Sequence, residues 1–143
     1  MANRTAPAVW QGDLMSGSGV VSAATSDAFT DLPVSWASRT ESADGRTSPE
    51  ELVAAAHASC FCMALSNGLG KAGTPPQRLE VSATVAFEPV EGGFKVASSK
   101  LSVRGTVSGI DAAAFSQAAK DGCPISGALK GNVELSVEAT LAS

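Results

Sequence analysis

A long run of small and apolar residues, LVAAAHASCFCMAL at positions 52–65, constrains the fold more than any other feature of the chain. Strong helix-start signals precede it. Ser48 is a good N-cap, Pro49 suits the first helical position, and Glu51 stands where a capping box places a carboxylate. We predict a helix from about Pro49 to about Leu69, ended by the glycines and prolines that follow. Because almost every residue of the run is apolar or small, we expect this helix to be buried on most sides.

Alternating apolar residues and turn signals predict the elements around this helix. Before it we expect a β-hairpin over residues 8–25 and a third strand over residues 32–40. After it we expect a hairpin of two strands, two short helices and a closing strand, over residues 79–89, 92–107, 110–122, 123–131 and 132–142. Asp111 is the expected N-cap of the first short helix and Gly122 its stop, while Pro124 begins the second. This order predicts an α+β fold with antiparallel sheet and helices on one face.

The length and the charge balance exclude several classes of protein. A chain of 143 residues, 44% apolar and 17% charged, predicts one globular domain over residues 1–143. The net charge is −4 and there is no basic patch, so nucleic acid is not an expected partner. The apolar run reads as too short and too polar to span a bilayer, and the start lacks the apolar stretch of a signal peptide. We therefore expect a cytoplasmic protein, in which three cysteines do not form a stable disulfide framework.

The three cysteines differ in what surrounds them. Cys60 and Cys62 are two residues apart, which on a helix is a rotation of about 200°, so they face different ways and cannot bond to each other without unwinding. Core filling is the simplest interpretation of Cys62. Cys60 has His57 three residues earlier on the same helical face, and a histidine can favour a thiolate. Cys123, just before Pro124 at a predicted helix start, is an equally good candidate for a lowered thiol pKa, or else only caps the helix.

The residues also allow a metal site and a site built on charged side chains. A zinc site built from His57 and the three cysteines is disfavoured, because Cys60 and Cys62 diverge where zinc ligands must converge. Glu50 lies in the first helical turn without an evident capping role, and Arg39 lies between apolar strand residues and a polar loop. Either residue is an ordinary solvated charge or part of a site.

Three segments make the sequence specific enough to compare with a family: residues 9–23, 38–66 and 119–141. Together they closely resemble the OsmC/Ohr family of osmotically inducible and organic hydroperoxide resistance proteins, in order and over essentially the whole chain. The resemblance is closer to the OsmC branch, because the helix reads AAAHASCF with a histidine and the chain opens with the pattern W-x-G-D. It implies an OsmC-like fold in which antiparallel sheets pack against a long buried central helix, in an intertwined homodimer.

The same resemblance implies a thiol-dependent peroxidase that reduces organic hydroperoxides under oxidative or osmotic stress. Cys60 matches the cysteine that the peroxide oxidises, and Cys123 matches the one that resolves it as a Cys60–Cys123 disulfide. Glu50 and Arg39 match the catalytic glutamate and arginine of the family. The disulfide would be reduced by an external dithiol of the lipoyl type or similar, with no cofactor or metal. Cys62 stands where a serine is common, and we expect it to pack.

The positions of two of these residues on one helix have a geometric consequence. Glu50 and Cys60 are ten residues apart, or about 15 Å along a straight helix. If both serve one site, Glu50 must act on the Cys60 of a second chain, so we expect composite sites in a homodimer. The chief rival interpretation is a binding protein of the same fold that holds an apolar ligand without turnover.

Overall fold

The structure, a computed structural model, describes residues 1–120 and 123–142. The chain forms two compact units, Met1–Leu52 and Val53–Ser143. A long helix begins near the end of the first unit and continues into the second.

A three-stranded antiparallel sheet forms most of the first unit. Its strands are β1 (Ala8–Gln11), β2 (Ser18–Val21) and β3 (Leu32–Val34), in the order β1-β2-β3. The first two strands form the predicted hairpin, with Trp10 paired to Gly19. The chain then forms the short helix α1 (Trp36–Thr40).

Helix α1 replaces the second half of the strand predicted over residues 32–40. Ser35 and Ser38 form a reciprocal capping box: each hydroxyl accepts a hydrogen bond from the other residue's backbone N–H, at 3.0 Å in both directions. The Ser38 hydroxyl also donates to the carbonyl oxygen of Thr47 at 3.0 Å. These local bonds satisfy backbone groups that a longer strand would have had to pair across the sheet.

The predicted long helix is present as α2 (Pro49–Lys71), two residues longer than expected at its end. The Ser48 hydroxyl accepts from the backbone N–H of Glu51 at 3.2 Å, as a helix cap does. The Glu51 carboxylate accepts a hydrogen bond of 2.7 Å from the hydroxyl of Thr47. The capping prediction is therefore correct for Ser48, while the bond of Glu51 joins the helix to the residue before the cap.

One stripe of α2 in the second unit is buried, at the helical spacing of four residues: His57, Phe61, Leu65 and Leu69. Its other faces are exposed or half-buried in this single chain. The expectation of burial on most sides is thus not met within one chain, because a single sheet covers only one face. The helix is also long and apolar enough to cross a membrane by length and composition, contrary to the sequence-based prediction, although core helices pass the same test.

The sheet of the second unit contains β4 (Arg78–Val90), β5 (Gly93–Thr106) and β6 (Glu134–Leu141), in that order. β4 and β5 form the predicted antiparallel hairpin. β5 and β6, however, are parallel, so the prediction of an entirely antiparallel sheet is wrong for this pair. A parallel neighbour needs a crossover connection, and two helices between β5 and β6 provide it. The α+β class itself is confirmed.

These crossover helices are α3 (Ala112–Ala118) and α4 (Pro124–Leu129). Asp111 caps α3 as predicted, its Oδ1 accepting from the N–H of Ala114 at 2.8 Å. Cys123 is the N-cap of α4, and Pro124 is its first residue. The predicted stop of α3 at Gly122 lies outside the described residues.

The core of the second unit joins α2, β5 and α3. Its most buried apolar side chains include Phe61, Leu69, Leu101, Val103 and Phe115. Gly105 on β5 lies directly under the ring of Phe115: a Cβ at this position would be 2.7 Å from Cε1 of that ring. The close packing of Phe115 therefore requires glycine here.

We predict that Gly105→Ala destabilises the protein by about 1–3 kcal/mol, because the added methyl group overpacks the core against Phe115. Gly68→Ala on α2 is the matched control. A Cβ there meets no heavy atom within 4 Å, so the better helix propensity of alanine should leave stability unchanged or raise it by up to about 1 kcal/mol. Urea unfolding followed by circular dichroism measures both. Equal stability of the two variants would contradict the packing argument.

Candidate functional site

Arg39 on α1 and Glu50 in the first turn of α2 form a bidentate ion pair in the first unit. Arg39 Nε lies 3.0 Å from Glu50 Oε1 and 3.2 Å from Oε2, and Nη2 lies 2.8 Å from Oε1. The Glu50 side chain is 8% exposed and that of Arg39 30%. This geometry fixes the plane of the guanidinium. The structure therefore pairs these two predicted site residues and excludes the interpretation of Glu50 as a solvated charge.

An apolar cavity of about 310 Å³ lies beside this pair. Arg39 Cζ is 5.9 Å from the ring centroid of Trp36, within cation–π range. The cavity is lined by Trp10, Leu14, Val34, Ser35, Trp36, Arg39 and Pro49. The guanidinium thus borders a space that is otherwise mostly hydrophobic.

The second unit brings together the other two predicted site residues, Cys60 on α2 and Cys123 at the N-cap of α4. Both are free thiols; Cys123 is 5% exposed and Cys60 is half-buried against the core. The two side chains lie close enough to influence each other's ionisation. The pairing that the family resemblance implied is therefore compatible with this arrangement.

The surroundings shift the two thiols in opposite directions. Burial raises the pKa of Cys60, the neighbouring Cys123 raises it further, and the N–H of Ile125 offsets part of this. Burial also raises the pKa of Cys123, but hydrogen bonds from the Ser126 hydroxyl and N–H, from Cys60 and from Ile125 outweigh it and lower the pKa overall. Within this unit Cys123 is the more easily ionised thiol, which the sequence had left open.

Cys62 points elsewhere. It lines a shallow hollow with Met63, Ser66, Asn67 and Leu79. It is half-buried, and burial raises the pKa of its thiol. The prediction that Cys60 and Cys62 face different directions is confirmed.

His57 is fully buried and both of its ring nitrogens are hydrogen bonded. Nδ1 lies 2.7 Å from the Ser99 hydroxyl, and Nε2 lies 2.7 Å from the Ser126 hydroxyl. The Ser126 Oγ is in turn 3.3 Å from the sulfur of Cys123. Burial lowers the pKa of His57, so its neutral form is favoured. The sequence placed His57 beside Cys60, but these bonds lead to Cys123.

Sequence reasoning missed the two serines of this chain of bonds. A signal for Ser99 was available, because in the alternating strand β5 it shares the inward face with Leu101 and Val103. A polar residue at an inward position needs a buried partner. Ser126 carries no comparable signal, since it is one of several small residues in a short helix.

Metal binding finds no support in the part of the chain that the structure describes. Within it, no group of three or more histidine, cysteine, aspartate or glutamate side chains is placed to hold a metal ion. Both nitrogens of His57 are already occupied by serine hydroxyls.

The chain matches the family model described as "OsmC-like protein" over residues 42–138. It is 42% identical over 129 residues to a protein named peroxiredoxin OsmC from Escherichia coli K12, covering 88% of this chain and 89% of that one. It is 31% identical over 96 residues to organic hydroperoxide resistance protein-like 2 from Staphylococcus epidermidis, covering 66% of this chain and 68% of the relative.

Solved structures with the same fold agree with these matches. The organic hydroperoxide resistance protein OhrB of Bacillus subtilis superimposes with a TM-score of 0.71 at 27% identity, covering 95% of this chain and 98% of that one. An OsmC-like protein from Mycoplasma pneumoniae gives a TM-score of 0.73 at 15% identity, covering 99% of each chain, and shows the fold alone.

We predict that one equivalent of diamide, a thiol oxidant, forms a Cys60–Cys123 disulfide, because these two thiols are in contact while Cys62 faces away. Peptide mapping by mass spectrometry without reduction identifies the bond. Cys62→Ser should give the same product and Cys123→Ser should not. A Cys60–Cys62 bond as the main product would contradict the geometry.

Proposed function

Because this chain belongs to the OsmC-like family, we propose that it is a cysteine-based peroxidase that reduces organic hydroperoxides to alcohols in the response to oxidative or osmotic stress. Relatives named peroxiredoxin OsmC and organic hydroperoxide resistance protein support the peroxidase class. The observation that carries the proposal is that Cys60 packs against the core cluster that includes Cys123, close enough for the two thiols to interact. Two neighbouring thiols are what a peroxidase with an internal resolving step needs.

In the first step the Cys60 thiolate attacks the terminal oxygen of the hydroperoxide. The O–O bond breaks, the alkoxide leaves and takes a proton to become the alcohol, and Cys60 becomes a sulfenic acid. Cys60 packs against the apolar core cluster of the second unit. We expect these surroundings to favour bulky organic peroxides over hydrogen peroxide.

In the second step Cys123 attacks the sulfur of the Cys60 sulfenic acid. An S–S bond forms, the S–OH bond breaks and water leaves. An external dithiol, of the lipoyl type or similar, then reduces the disulfide by thiol–disulfide exchange. In this scheme the electrons come from that dithiol and no bound cofactor takes part.

The proposal assigns Arg39 to the stabilisation of the Cys60 thiolate and of the leaving alkoxide, and Glu50 to holding Arg39. The pKa of Cys60 is raised within its own unit, so a reactive thiolate needs a cation in addition. The Arg39–Glu50 pair has the fixed geometry that such a role requires. Since about 15 Å of helix separates Glu50 from the Cys60 of the same chain, we propose that the pair serves Cys60 of a partner subunit.

A homodimer of this kind is supported by the apolar surface of the single chain. Large exposed hydrophobic side chains include Trp10, Leu14 and Met15 on the β1–β2 hairpin and Met63 on α2. Such surface on a single chain is typical of an interface. An isologous dimer would bury the same apolar surface on both subunits. Solved relatives span 95% or more of this chain, which supports treating residues 1–143 as one domain in each subunit. We place the enzyme in the cytoplasm, where thiols are kept reduced.

Steady-state consumption of cumene hydroperoxide with a dithiol tests the function. We predict sustained turnover, faster than with hydrogen peroxide, that Cys60→Ser abolishes and Cys62→Ser leaves largely intact. Cys123→Ser should permit one attack per subunit and then stop with Cys60 as the sulfenic acid. Binding of the hydroperoxide without its consumption would instead support the rival, a binding protein without turnover.

Complementation tests the shared site. We predict that Cys60→Ser and Glu50→Ala homodimers are each weak or inactive, and that unfolding and refolding them as a mixture restores activity. Heterodimers would contain one intact site, built from Arg39 and Glu50 of one chain and both cysteines of the other. Native mass spectrometry confirms heterodimer formation. Heterodimers without activity would mean that Glu50 and Cys60 act within one chain or that Glu50 is not catalytic.

A further inference from the structure

A chain of hydrogen bonds runs through the interior of the second unit from Ser99, through His57 and Ser126, to Cys123. Ser99 and His57 are both fully buried. The two bonds to the imidazole are short, at 2.7 Å each, and the contact between Ser126 Oγ and the Cys123 sulfur is 3.3 Å. Both ring nitrogens of this buried histidine are therefore hydrogen bonded, and one of the two bonds connects it through Ser126 to the thiol of Cys123.

The number of protons available to these hydrogen bonds limits which atom can donate in each of them. A neutral imidazole has one N–H donor and one acceptor nitrogen, and a serine hydroxyl has one proton to donate. With the proton on Nδ1, His57 donates to Ser99 Oγ and its Nε2 accepts from the Ser126 hydroxyl. Ser126 Oγ is then left to accept from the S–H of Cys123. In this tautomer the donors therefore point from the thiol towards the imidazole.

A second arrangement follows when two protons move along this chain. The Cys123 proton passes to Ser126, and the Ser126 proton passes to Nε2 of His57. Ser126 then donates to a Cys123 thiolate while His57, now protonated at both nitrogens, donates to Ser126. Ser99 accepts from Nδ1 in both arrangements, so nothing else has to rearrange.

We propose that His57 is a positioning residue that acts through Ser126 to take the proton of Cys123 as this thiol attacks the Cys60 sulfenic acid. The inference rests on the proposed peroxidase function and concerns its second step. The Cys123–Cys60 S–S bond forms, the S–O bond of the sulfenic acid breaks, and the hydroxide that leaves takes the proton back as water. Cys123 is oxidised and the Cys60 sulfur is reduced, with no further reactant.

The energetics of a buried imidazole agree with a transient role. Burial lowers the pKa of His57, so the imidazolium gives up its proton readily. Burial raises the pKa of the Cys123 thiol, but the hydrogen bonds from Ser126 lower it overall, which eases the loss of the thiol proton.

The charged and titratable groups near Cys123 come from several elements. Cys60 and His57 lie on α2, whereas β5 contributes the uncharged Ser99. The groove beside Cys123, of about 540 Å³, is also lined by Lys120 and Lys130. Both lysines stay unchanged in every variant below.

The experiment uses the whole 143-residue chain with Cys62→Ser as the parent, so that only two thiols react. One equivalent of cumene hydroperoxide is added, and quenched samples are analysed by mass spectrometry. Peroxide loss reports the attack by Cys60, and disulfide formation reports the attack by Cys123. We expect Ser126→Ala and His57→Gln to leave peroxide loss unchanged and to slow disulfide formation roughly tenfold or more, since general-base assistance is lost.

Two further variants separate this role from a packing effect. Ser126→Thr keeps the hydroxyl and should restore disulfide formation to near the parent rate. Ser136→Ala removes a hydroxyl from the same groove but not from the chain of bonds, and should match the parent. Parent-like disulfide formation in both Ser126→Ala and His57→Gln, or an equal loss in Ser136→Ala, would overturn the proposal. If circular dichroism shows that His57→Gln does not fold, the comparison of Ser126→Ala with Ser126→Thr tests the proposal instead.

A second measurement needs no peroxide. The alkylation rate of Cys123 by iodoacetamide, measured against pH at its own peptide, should shift to higher pH in Ser126→Ala but not in Ser136→Ala. If the parent consumes no peroxide but this shift appears, the proposed function fails while the link between Ser126 and Cys123 stands. An unchanged profile would overturn the role of Ser126 whatever the outcome with peroxide.

Discussion

The packing of one face of α2 against the sheet of the second unit is the interaction on which the thiol site depends. The stripe that begins at His57 and continues through Phe61 is buried to the last turn of the helix. Cys60 stands between these two residues in the sequence, so the packing of its neighbours fixes where its thiol lies. Because the same stripe includes His57, it also sets the hydrogen bonds that reach Cys123 through Ser126. Loss of this packing would disturb both thiols at once.

The two units contribute different chemistry. The first holds a cation in a fixed orientation, since Glu50 is nearly buried and grips Arg39 through both carboxylate oxygens. The second holds two thiols in contact, with opposite pKa shifts. A buried carboxylate needs a partner of opposite charge, so Arg39 has a structural reason to stay in place. The proposed dimer would give this fixed cation a function as well.

Much of the fold could be predicted from the sequence because local signals and tertiary packing agree. The cap at Ser48, the alternation along β4 and the cap at Asp111 all specify what is found. The sequence-based predictions were wrong or incomplete where a local side-chain hydrogen bond, or a partner far away in the sequence, determines the structure. The reciprocal bonds of Ser35 and Ser38 ended a strand that its apolar residues favoured.

The direction of β6 and the partners of His57 could not be read from local patterns for a related reason. An alternating strand looks the same whether its neighbour is parallel or antiparallel, and only the crossover through α3 and α4 decides. His57 meets Ser99 and Ser126, which are 42 and 69 residues away along the chain. The contact of Cys60 with Cys123 was implied by the family resemblance, whereas the lower pKa of Cys123 depends on these long-range neighbours.

Cys123 also caps a helix, and the oxidation state of its sulfur affects that role. Its sulfur accepts the backbone N–H of Ser126 at 3.4 Å and so caps helix α4. A thiolate accepts such a bond more strongly than a disulfide sulfur does, so the order of this helix start and the oxidation state of the sulfur are thermodynamically linked. A tenfold preference of the capped helix for the reduced form would raise the reduction potential of the proposed Cys60–Cys123 couple by about 30 mV, so its disulfide would be easier to reduce. The first turn of α4 would thereby act as a built-in bias on the redox equilibrium of the enzyme.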